Sequence, residues 1–203
     1  MILIFSMFIA YLVGSIPTGY FVAKFKDNTD LRSFGSGSTG ATNVFRAAGK
    51  LAALVTLVID ALKGYVAVTI LPTMMYTFRL DMPMQQYCVI MGLCAVIGHN
   101  WPVFLKFKGG KGIATSAGVL LGVAPAPLLV GLCAWVLVFV FSKIVSISSI
   151  IAAIAIPIAA YAMNTSVYVR ILTIILAVLT VLRHHGNIKR IIKKEEKKIV
   201  VRI

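Results

Sequence analysis

The chain has 203 residues, of which 60% are hydrophobic and only 13% are charged, and its mean hydropathy is +0.96. Soluble domains are roughly a quarter charged, so this composition excludes an ordinary soluble domain. The formal net charge is +14, but the apolar content excludes a nucleic-acid-binding protein. The charge indicates basic loops beside a membrane and attraction to anionic lipid head groups. The length suits a single polytopic domain over residues 1–203.

Apolar runs separated by helix breakers predict seven membrane helices. In chain order they cover about residues 2–23, 51–71, 87–97, 112–124, 127–141, 144–163 and 167–182. No basic residue precedes the first run and no cleavage site follows it, so we interpret it as a membrane helix. The third and fourth runs are shorter than the roughly 20 residues of a full crossing. They are either extended by polar residues buried in protein or discontinuous helices that cross part of the bilayer.

The basic residues predict the orientation. If the N-terminus is outside, 17 of the 20 basic residues fall in segments on one side, namely residues 24–50, 98–111, 142–143 and 183–203. Such a bias marks the cytoplasmic side of a membrane, so we expect a cytoplasmic C-terminus. The C-terminal tail, residues 189–203, alternates basic residues with Ile and Val. It is either an amphipathic helix lying on the membrane or a frayed tail.

The first predicted cytoplasmic loop contains a glycine-rich run, Gly35-Ser36-Gly37-Ser38-Thr39-Gly40-Ala41-Thr42-Asn43-Val44-Phe45-Arg46. Its glycines let the backbone bend tightly and turn several N–H groups toward one anion. The hydroxyls and Asn43 can add hydrogen bonds, and Arg46 offers a planar fork to phosphate oxygens. No strand precedes the run, so the dinucleotide fingerprint that its letters also fit lacks its context. The run predicts a phosphate-binding loop, with a plain flexible loop as the alternative.

The second predicted cytoplasmic loop, residues 98–112, ends in Gly109-Gly110-Lys111-Gly112 at the start of the fourth helix. A helix N-terminus presents free N–H groups and a partial positive charge, and Lys111 adds a full charge, so an anion is favoured there. It is not a Walker loop, because Leu105 stands at the required upstream glycine. His99 is either a site residue or a packing or capping residue. The remaining interfacial residues are typical of a head-group anchor: Trp101, Lys106 and Lys108.

A third polar segment follows the seventh helix. If the helix continues, His184 and Asn187 are three residues apart and share a face. We interpret them as functional because they lie together at the cytoplasmic end of a membrane helix. Within the second helix, Asp60 and Lys63 are also three residues apart, and we interpret them as a structural ion pair.

Several absences narrow the chemistry. No carboxylates or histidines have metal-ligand spacing, and no G-x-S-x-G elbow is present. The three cysteines lie in apolar runs and read as small buried residues. None of the six acidic residues lies in the glycine-rich loops. A reaction without metal or cofactor between two phosphate-bearing substrates therefore fits, without a carboxylate base.

Together the three segments resemble the bacterial PlsY family, the acyl-phosphate:glycerol-3-phosphate acyltransferases. That family has patterns near G-S-G-N-x-G-A-T-N-x-x-R, then G-H-N-x-P-x-F-x-x-x-x-G-G-K-G, then H-x-E-N-I. The resemblance covers nearly the whole chain with the same order and spacing. It implies a seven-helix, all-α integral membrane bundle. It also implies transfer of an acyl group from a long-chain acyl phosphate to glycerol 3-phosphate, giving 1-acylglycerol 3-phosphate and inorganic phosphate.

The resemblance also implies the site residues. By motif match, the catalytic site would be lined by Ser36, Arg46, Lys111, His184 and Asn187. The loops and the resemblance together give a phosphate-binding set of Gly35, Gly37, Ser38, Gly40, Thr42, Asn43, His99, Asn100, Gly109, Gly110 and Gly112. Two residues depart from the family pattern. Ser38 stands where Asn is usual, and Gly186 stands where Glu is usual, so any pairing made by that carboxylate must be replaced or lost.

In the implied mechanism, Arg46, Lys111 and Ser36 hold glycerol 3-phosphate so that its terminal hydroxyl faces the acyl carbonyl. The acyl chain lies among the membrane lipids, and most of the acceleration comes from positioning and electrostatics. Either His184 is the base, or a substrate phosphate accepts the proton, which we favour. One alternative class is an organic-phosphate transporter, whose short helices would suit a half-helix anion site. Another is a lipid-surface scaffold, which leaves the glycine loops unexplained.

Overall fold

The computed structural model of the protein describes residues 1–76 and 82–199, and all regular structure in these two ranges is helical. The helices are α1 (Ile2–Ser15), α2 (Thr18–Asp27), α3 (Ala41–Tyr76), α4 (Met84–Asn100), α5 (Ile113–Val123), α6 (Pro125–Ser142), α7 (Val145–Ala162), α8 (Val167–Arg183) and α9 (His185–Ile192), with a 3₁₀ turn at Val103–Leu105. The predicted all-α class is thus confirmed over the described residues.

Within the described ranges, five helical segments are long and apolar enough to cross a membrane: residues 2–27, 41–74, 84–105, 125–142 and 145–162. A sixth is present if α8 and α9, which meet at a bend of 58°, count as one span, and α5 is a shorter apolar helix of 11 residues. Many leucine, isoleucine and phenylalanine side chains on these helices are exposed, which is the surface that lipid covers. Seven crossings and the orientation of the termini stay predictions.

The chain divides into two compact units, Met1–Val123 and Ala124–Ile203. In the first unit, the predicted helix over residues 2–23 is interrupted between α1 and α2, because Pro17 cannot continue the hydrogen-bond ladder. The carbonyl of Ile16 at this break accepts a hydrogen bond of 3.0 Å from the ammonium of Lys63. Lys63 also pairs with Asp60 at 2.8 Å, and both side chains are buried. The structural ion pair predicted for the second helix is present, and it stabilises the break in the first.

The predicted second helix, residues 51–71, lies within the later part of α3. Gly49 interrupts α3 with φ +82° and ψ −175°, and the stretch before it, residues 41–48, is helical although the sequence placed it in a loop. This short segment packs on α2 and the following loop through buried apolar side chains: Ala23, Leu31, Val44, Ala48 and Ala52. The packing fixes the glycine-rich loop, residues 28–40, between two helices.

The two short predicted helices have different outcomes. The third is extended, since α4 has 17 residues and ends in two buried polar side chains, His99 and Asn100. The fourth stays short as α5, which lies very close to α3. A Cβ atom added at Gly118 would lie 1.8 Å from the carbonyl oxygen of Ala61. Only a glycine allows this approach of the two helices.

In the second unit, α6, α7 and α8 begin and end within two residues of the fifth, sixth and seventh predicted helices. The indole of Trp135 on α6 donates a hydrogen bond of 3.2 Å to the Ser149 hydroxyl on α7. Arg170 closes the α7–α8 connection by donating from Nε to the carbonyl of Thr165 at 2.7 Å. Contrary to the prediction that all three cysteines are buried, Cys133 is exposed on α6, and Cys88 and Cys94 on α4 are only partly buried.

The described part of the C-terminal tail is neither of the two forms that the sequence predicted, an amphipathic helix or a frayed tail. It is helical only as far as Ile192, the end of α9, and residues 195–199 have no regular structure. These residues nevertheless return to the α6–α7 connection, because the backbone N–H of Ile199 donates to the carbonyl of Lys143 at 2.8 Å. The described tail is therefore neither one long amphipathic helix nor frayed.

Candidate functional site

The glycine-rich loop is built around Asn43, which is 2% exposed. Its Nδ2 donates to three loop carbonyls, those of Leu31, Phe34 and Ser38, at 3.3, 2.9 and 2.9 Å. Its Oδ1 accepts from the backbone N–H of Ser36 at 3.2 Å. The structure thus places this predicted phosphate ligand inside the loop, where its amide organises the backbone.

Two glycines of the loop have backbone conformations that other residues rarely adopt. Gly35 and Gly37 have φ values of +58° and +68°, in the left-handed region. A Cβ atom at Gly35 would also lie 2.4 Å from Oδ1 of Asn43. These glycines let the chain wrap around the amide and leave Ser36, between them, exposed. Ser38, the departure from the family pattern, accepts from the N–H of Gly40 through its hydroxyl at 3.3 Å.

The cation of this loop is Arg46, which lies exposed on the helical segment 41–48, where Thr42 is partly exposed. No ion pair joins Arg46 to an acidic residue over residues 1–76 and 82–199. Arg32, in contrast, is neutralised by Asp30 at 2.6 Å. Hydrogen bonds from the Arg32 side chain and backbone lower the pKa of Asp30 to about 2. At neutral pH the loop therefore presents Arg46, and not Arg32, as a cation for an anionic ligand.

The second loop folds back on the end of α4. The carbonyl of His99 accepts from the N–H of Gly110 at 3.1 Å, and a Cβ atom at Gly110 would lie 2.1 Å from Nε2 of the same histidine. On its other side, Nδ1 of His99 lies 3.6 Å from Oδ1 of Asp60. His99 is thus buried between the Asp60–Lys63 pair and the glycines, a contact that sequence reasoning missed because it paired Asp60 only with Lys63.

The end of this loop contains the other residues predicted to bind phosphate. Asn100 is fully buried, and neither atom of its amide has a hydrogen-bond partner among the described residues. A Cβ atom at Gly112, where φ is +80°, would lie 2.8 Å from Oδ1 of Asn100. Gly109 is similarly close to the carbonyl of His99. Lys111 is half-buried just before α5 begins at Ile113. Lys111 therefore precedes the N-terminus of α5 by two residues in the chain.

In the second unit, His184 lies at the bend between α8 and α9 and is 2% exposed. Its Nδ1 lies 2.8 Å from the carbonyl of Thr180. A carbonyl can only accept, so Nδ1 carries the proton in the neutral ring and Nε2 carries the lone pair. The carbonyl of His184 accepts from the N–H of Ile188 at 2.9 Å. His184 and Asn187 therefore lie within one helical turn, as the spacing predicted.

Asn187 is 7% exposed, and its Nδ2 donates to Glu196 of the tail. The same carboxylate accepts from the hydroxyl of Ser146 at 2.8 Å and from Nε of Arg190 at 2.6 Å. Burial opposes ionisation of Glu196, but these three donors outweigh it and hold its pKa below the ordinary range. Sequence reasoning did not predict the contact between Glu196 and Asn187. The one signal was Gly186, which stands where the family pattern has a glutamate.

The long apolar helices define a polytopic membrane protein. The family model described as "Glycerol-3-phosphate acyltransferase" matches residues 4–194. The chain belongs to this family.

The relatives agree along the whole chain. The glycerol-3-phosphate acyltransferase of Endomicrobium trichonymphae is 42% identical over 199 residues, covering 98% of this chain and 96% of the relative. The enzyme of the same name from Staphylococcus carnosus is 41% identical and covers 98% of both. The crystal structure of PlsY (YgiH), an integral membrane glycerol 3-phosphate acyltransferase, in its glycerol 3-phosphate form has a TM-score of 0.87 and 36% identity, covering 98% of this chain and 96% of that one. The resemblance to the PlsY family is confirmed.

Proposed function

We propose that this protein transfers a fatty acyl group from acyl phosphate to the 1-position of glycerol 3-phosphate, forming lysophosphatidic acid and inorganic phosphate. The observation that carries the proposal is the full-length similarity to PlsY, whose structures are described as glycerol 3-phosphate and lysophosphatidic acid forms. These are the acceptor and the product of the proposed reaction. The transporter and scaffold alternatives have no comparable support.

In the proposed site, Ser36, Arg46 and Lys111 bind the phosphate of the acceptor. The exposed Arg46 without a carboxylate partner supports this role, as does the position of Lys111 beside the positive end of α5. Of the predicted phosphate-binding residues, we assign Asn43 and His99 to holding the backbone of the two loops. Each is buried, with polar atoms directed at the loop itself. The N–H groups of Ser36, Gly37, Gly40 and Gly110 already bond inside the loops, so the proposed donors to phosphate are the Ser36 hydroxyl and the two cations.

The reaction forms one ester bond and breaks one anhydride bond. The 1-hydroxyl oxygen of glycerol 3-phosphate attacks the acyl carbonyl carbon, and the bond from that carbon to the phosphate oxygen breaks. Phosphate leaves with the electron pair, and the hydroxyl proton passes to a base. Because the donor is already activated, positioning and electrostatic stabilisation supply most of the acceleration.

For the base, we propose the substrate phosphate, with His184 and Asn187 as hydrogen-bonding partners. His184 donates from Nδ1 to the Thr180 carbonyl, so Nε2 is the nitrogen that can accept a proton. This carbonyl is neutral, however, and it brings no negative charge to stabilise an imidazolium. A catalytic histidine base usually has a carboxylate in that place.

We propose seven crossings of the bacterial inner membrane, an outside N-terminus and a site on the cytoplasmic side. The charge bias of the loops supports this orientation. The helices α8 and α5 would be the two additional crossings beyond the five long segments, with α9 on the cytoplasmic side.

Purified protein, supplied with acyl phosphate and glycerol 3-phosphate and scored for lysophosphatidic acid, tests the reaction. Product is expected with acyl phosphate, and its absence under conditions where the protein is folded contradicts the proposal. His184→Ala, assayed across pH, tests the base. We expect a few per cent of residual activity with an unchanged pH profile, because the proton still has an acceptor. Loss of the acidic limb of the profile, where activity rises as the base loses its proton, would make His184 the base.

A further inference from the structure

The C-terminal tail contributes one buried carboxylate to the neighbourhood of Asn187. Glu196 lies beyond the end of α9, in a stretch without regular structure, yet its side chain is only 7% exposed. It accepts hydrogen bonds from Asn187, Arg190 and Ser146, which belong to α9 and to the start of α7. Glutamate is almost never buried unless it is paired in this way.

We propose that Glu196 is a positioning residue that sets the orientation of the Asn187 amide for catalysis. The proposal rests on the proposed function of Asn187 as a partner of the reacting groups. It assigns to the tail, which sequence patterns describe only as a basic membrane contact, a direct part in the site.

The chemistry of the carboxylate and the amide determines which end of the Asn187 side chain faces Glu196. An ionised carboxylate only accepts hydrogen bonds, so the amide of Asn187 must turn its Nδ2 end toward Glu196. The acceptor Oδ1 then lies at the opposite end of the amide. Rotation about the last torsion of asparagine has a broad, roughly two-fold profile, so the two orientations of the amide differ little by themselves. The contact with Glu196 favours the orientation in which Nδ2 faces the carboxylate.

Arg190 and Ser146 hold the carboxylate itself in place. The guanidinium of Arg190 binds Oε2 at 2.6 Å, while the Ser146 hydroxyl binds Oε1 at 2.8 Å. Oε1 is the oxygen that also accepts from Asn187. Charge-assisted hydrogen bonds of this kind are roughly twice as strong as neutral ones, so the carboxylate is a firm support for the amide.

Position 186 has no carboxylate in this chain, so the negative charge beside Arg190 comes from the tail. The family pattern has a glutamate at this place, one residue before the asparagine, whereas this chain has no side chain there. A Cβ atom built at Gly186 would meet only Nη1 of the Arg190 guanidinium, at an ordinary contact distance of 3.7 Å. A glutamate at 186 would therefore reach the same arginine from within α9, four residues away. In this chain the carboxylate approaches Arg190 from the tail instead.

The simpler role for Glu196 is to fasten the tail. A second contact, from the N–H of Ile199 to the carbonyl of Lys143, also fastens it. A rescue experiment distinguishes the two roles, because a carboxylate at position 186 can restore a charge beside Arg190, four residues away, but cannot tie down residues 195–199.

The experiment compares four forms of the full-length protein for kcat, for KM of each substrate and for protection of the tail from a protease. They are the wild type, Glu196→Gln, Glu195→Gln and the double variant Gly186→Glu, Glu196→Gln. Glu195 is the matched control, because it undergoes the same change one residue away and is exposed. If Glu196→Gln does not accumulate in membranes, Glu196→Asp, which keeps the charge on a shorter arm, takes its place.

We expect Glu196→Gln to lower kcat by roughly tenfold or more, the loss that follows when a hydrogen bond to a charged group is weakened, with KM for acyl phosphate within about twofold. Glu195→Gln should stay within about twofold of the wild type, and the double variant should recover most of the lost kcat. Equal activity of Glu196→Gln and Glu195→Gln overturns the proposal. A loss that accompanies tail cleavage and that Gly186→Glu does not recover also overturns it. An inactive wild type contradicts the proposed function and, with it, the role of Asn187.

Discussion

At the scale of single residues, the predicted phosphate-binding side chains separate into two kinds. Asn43 and His99 are buried and direct their polar atoms at the loop backbone or at Asp60. Ser36 and Arg46 are exposed and make no side-chain contact within the described part of their unit that would compete with a ligand. The loops thus resemble a rigid frame that carries a few available groups, which is how preorganised sites reduce the reorganisation needed during reaction.

Replacing Asn43 by Asp tests this frame. The carboxylate would present oxygen, in place of Nδ2, to three carbonyl oxygens that now receive its hydrogen bonds. We expect a loss of about 2–4 kcal/mol in the free energy of unfolding, since several buried acceptors lose their donor, and at least a tenfold loss of acyl transfer. Thermal unfolding in detergent and the product assay measure the two effects.

Asn28→Asp is the control for this change, because Asn28 is exposed in the same unit and Asp tolerates its left-handed φ of +49°. The control should behave as the wild type. Wild-type stability and activity of Asn43→Asp would mean that the loop does not depend on the amide.

Much of this site was predictable from the sequence, and the missing part has a common cause. Runs of glycine with Ser36, Arg46 and Lys111 predict anion-binding loops, because the glycines and the polar side chains that would bind phosphate lie close together in the sequence. The support from Glu196 to Asn187 and from Asp60 to His99 is not local, since it joins residues 9 and 39 positions apart. The sequence positions of Glu196 and Asp60 therefore do not distinguish these two carboxylates from the other acidic residues of the chain.

At the scale of helices, three breaks lie beside polar side chains that the sequence singled out. Pro17 interrupts the first span beside the Asp60–Lys63 pair, Gly49 ends the segment that carries Arg46, and the 58° bend at His184 separates α8 from α9. The sequence predicted the uninterrupted helices of the second unit well, because long apolar runs determine their ends. It missed the helical segment 41–48, whose polar composition favours a loop and which is fixed by packing on α2.

The crossing of α3 and α5 yields a test at this scale. Gly118→Ala would place a methyl group 1.8 Å from the backbone oxygen of Ala61, so one of the helices must move. We expect a loss of about 3 kcal/mol in the free energy of unfolding, as for an overpacked core, and lower activity because α5 follows Lys111 directly. Unfolding in detergent and product formation provide the measurements.

Two companion variants sharpen this test. Ala117→Val adds bulk one position earlier at a partly exposed site and should cost less than about 1 kcal/mol. Ala61→Gly should not rescue Gly118→Ala, because the clash is with backbone and not with a side chain. Rescue by Ala61→Gly, or full stability of Gly118→Ala, would show that the two helices are not held at this distance.

At the scale of the whole molecule, the proposed reaction requires that the loops of the first unit and the end of α8 in the second unit face the same side of the membrane. The bias of basic residues predicts this arrangement, with 17 of 20 in the segments placed in the cytoplasm. Length and composition give five candidate spans among the described residues, so the prediction of seven crossings depends on charge, on α8 and on the short α5.

Cysteine labelling from each side of the membrane tests the arrangement. Single cysteines replace Lys50, Lys108, Lys198 or Asn164, all of which are exposed, in a background in which the native thiols are changed to Ala: Cys88, Cys94 and Cys133. The three lysine positions should react only with reagent supplied to the cytoplasmic face, and Asn164 only from outside. α7 separates the connection at residue 143 from Asn164 by 18 residues, or about 27 Å, so this helix alone spans most of the bilayer and sets an internal reference for the two faces. Reaction of Lys50→Cys and Lys198→Cys on opposite faces would contradict a site that contains both Arg46 and Asn187.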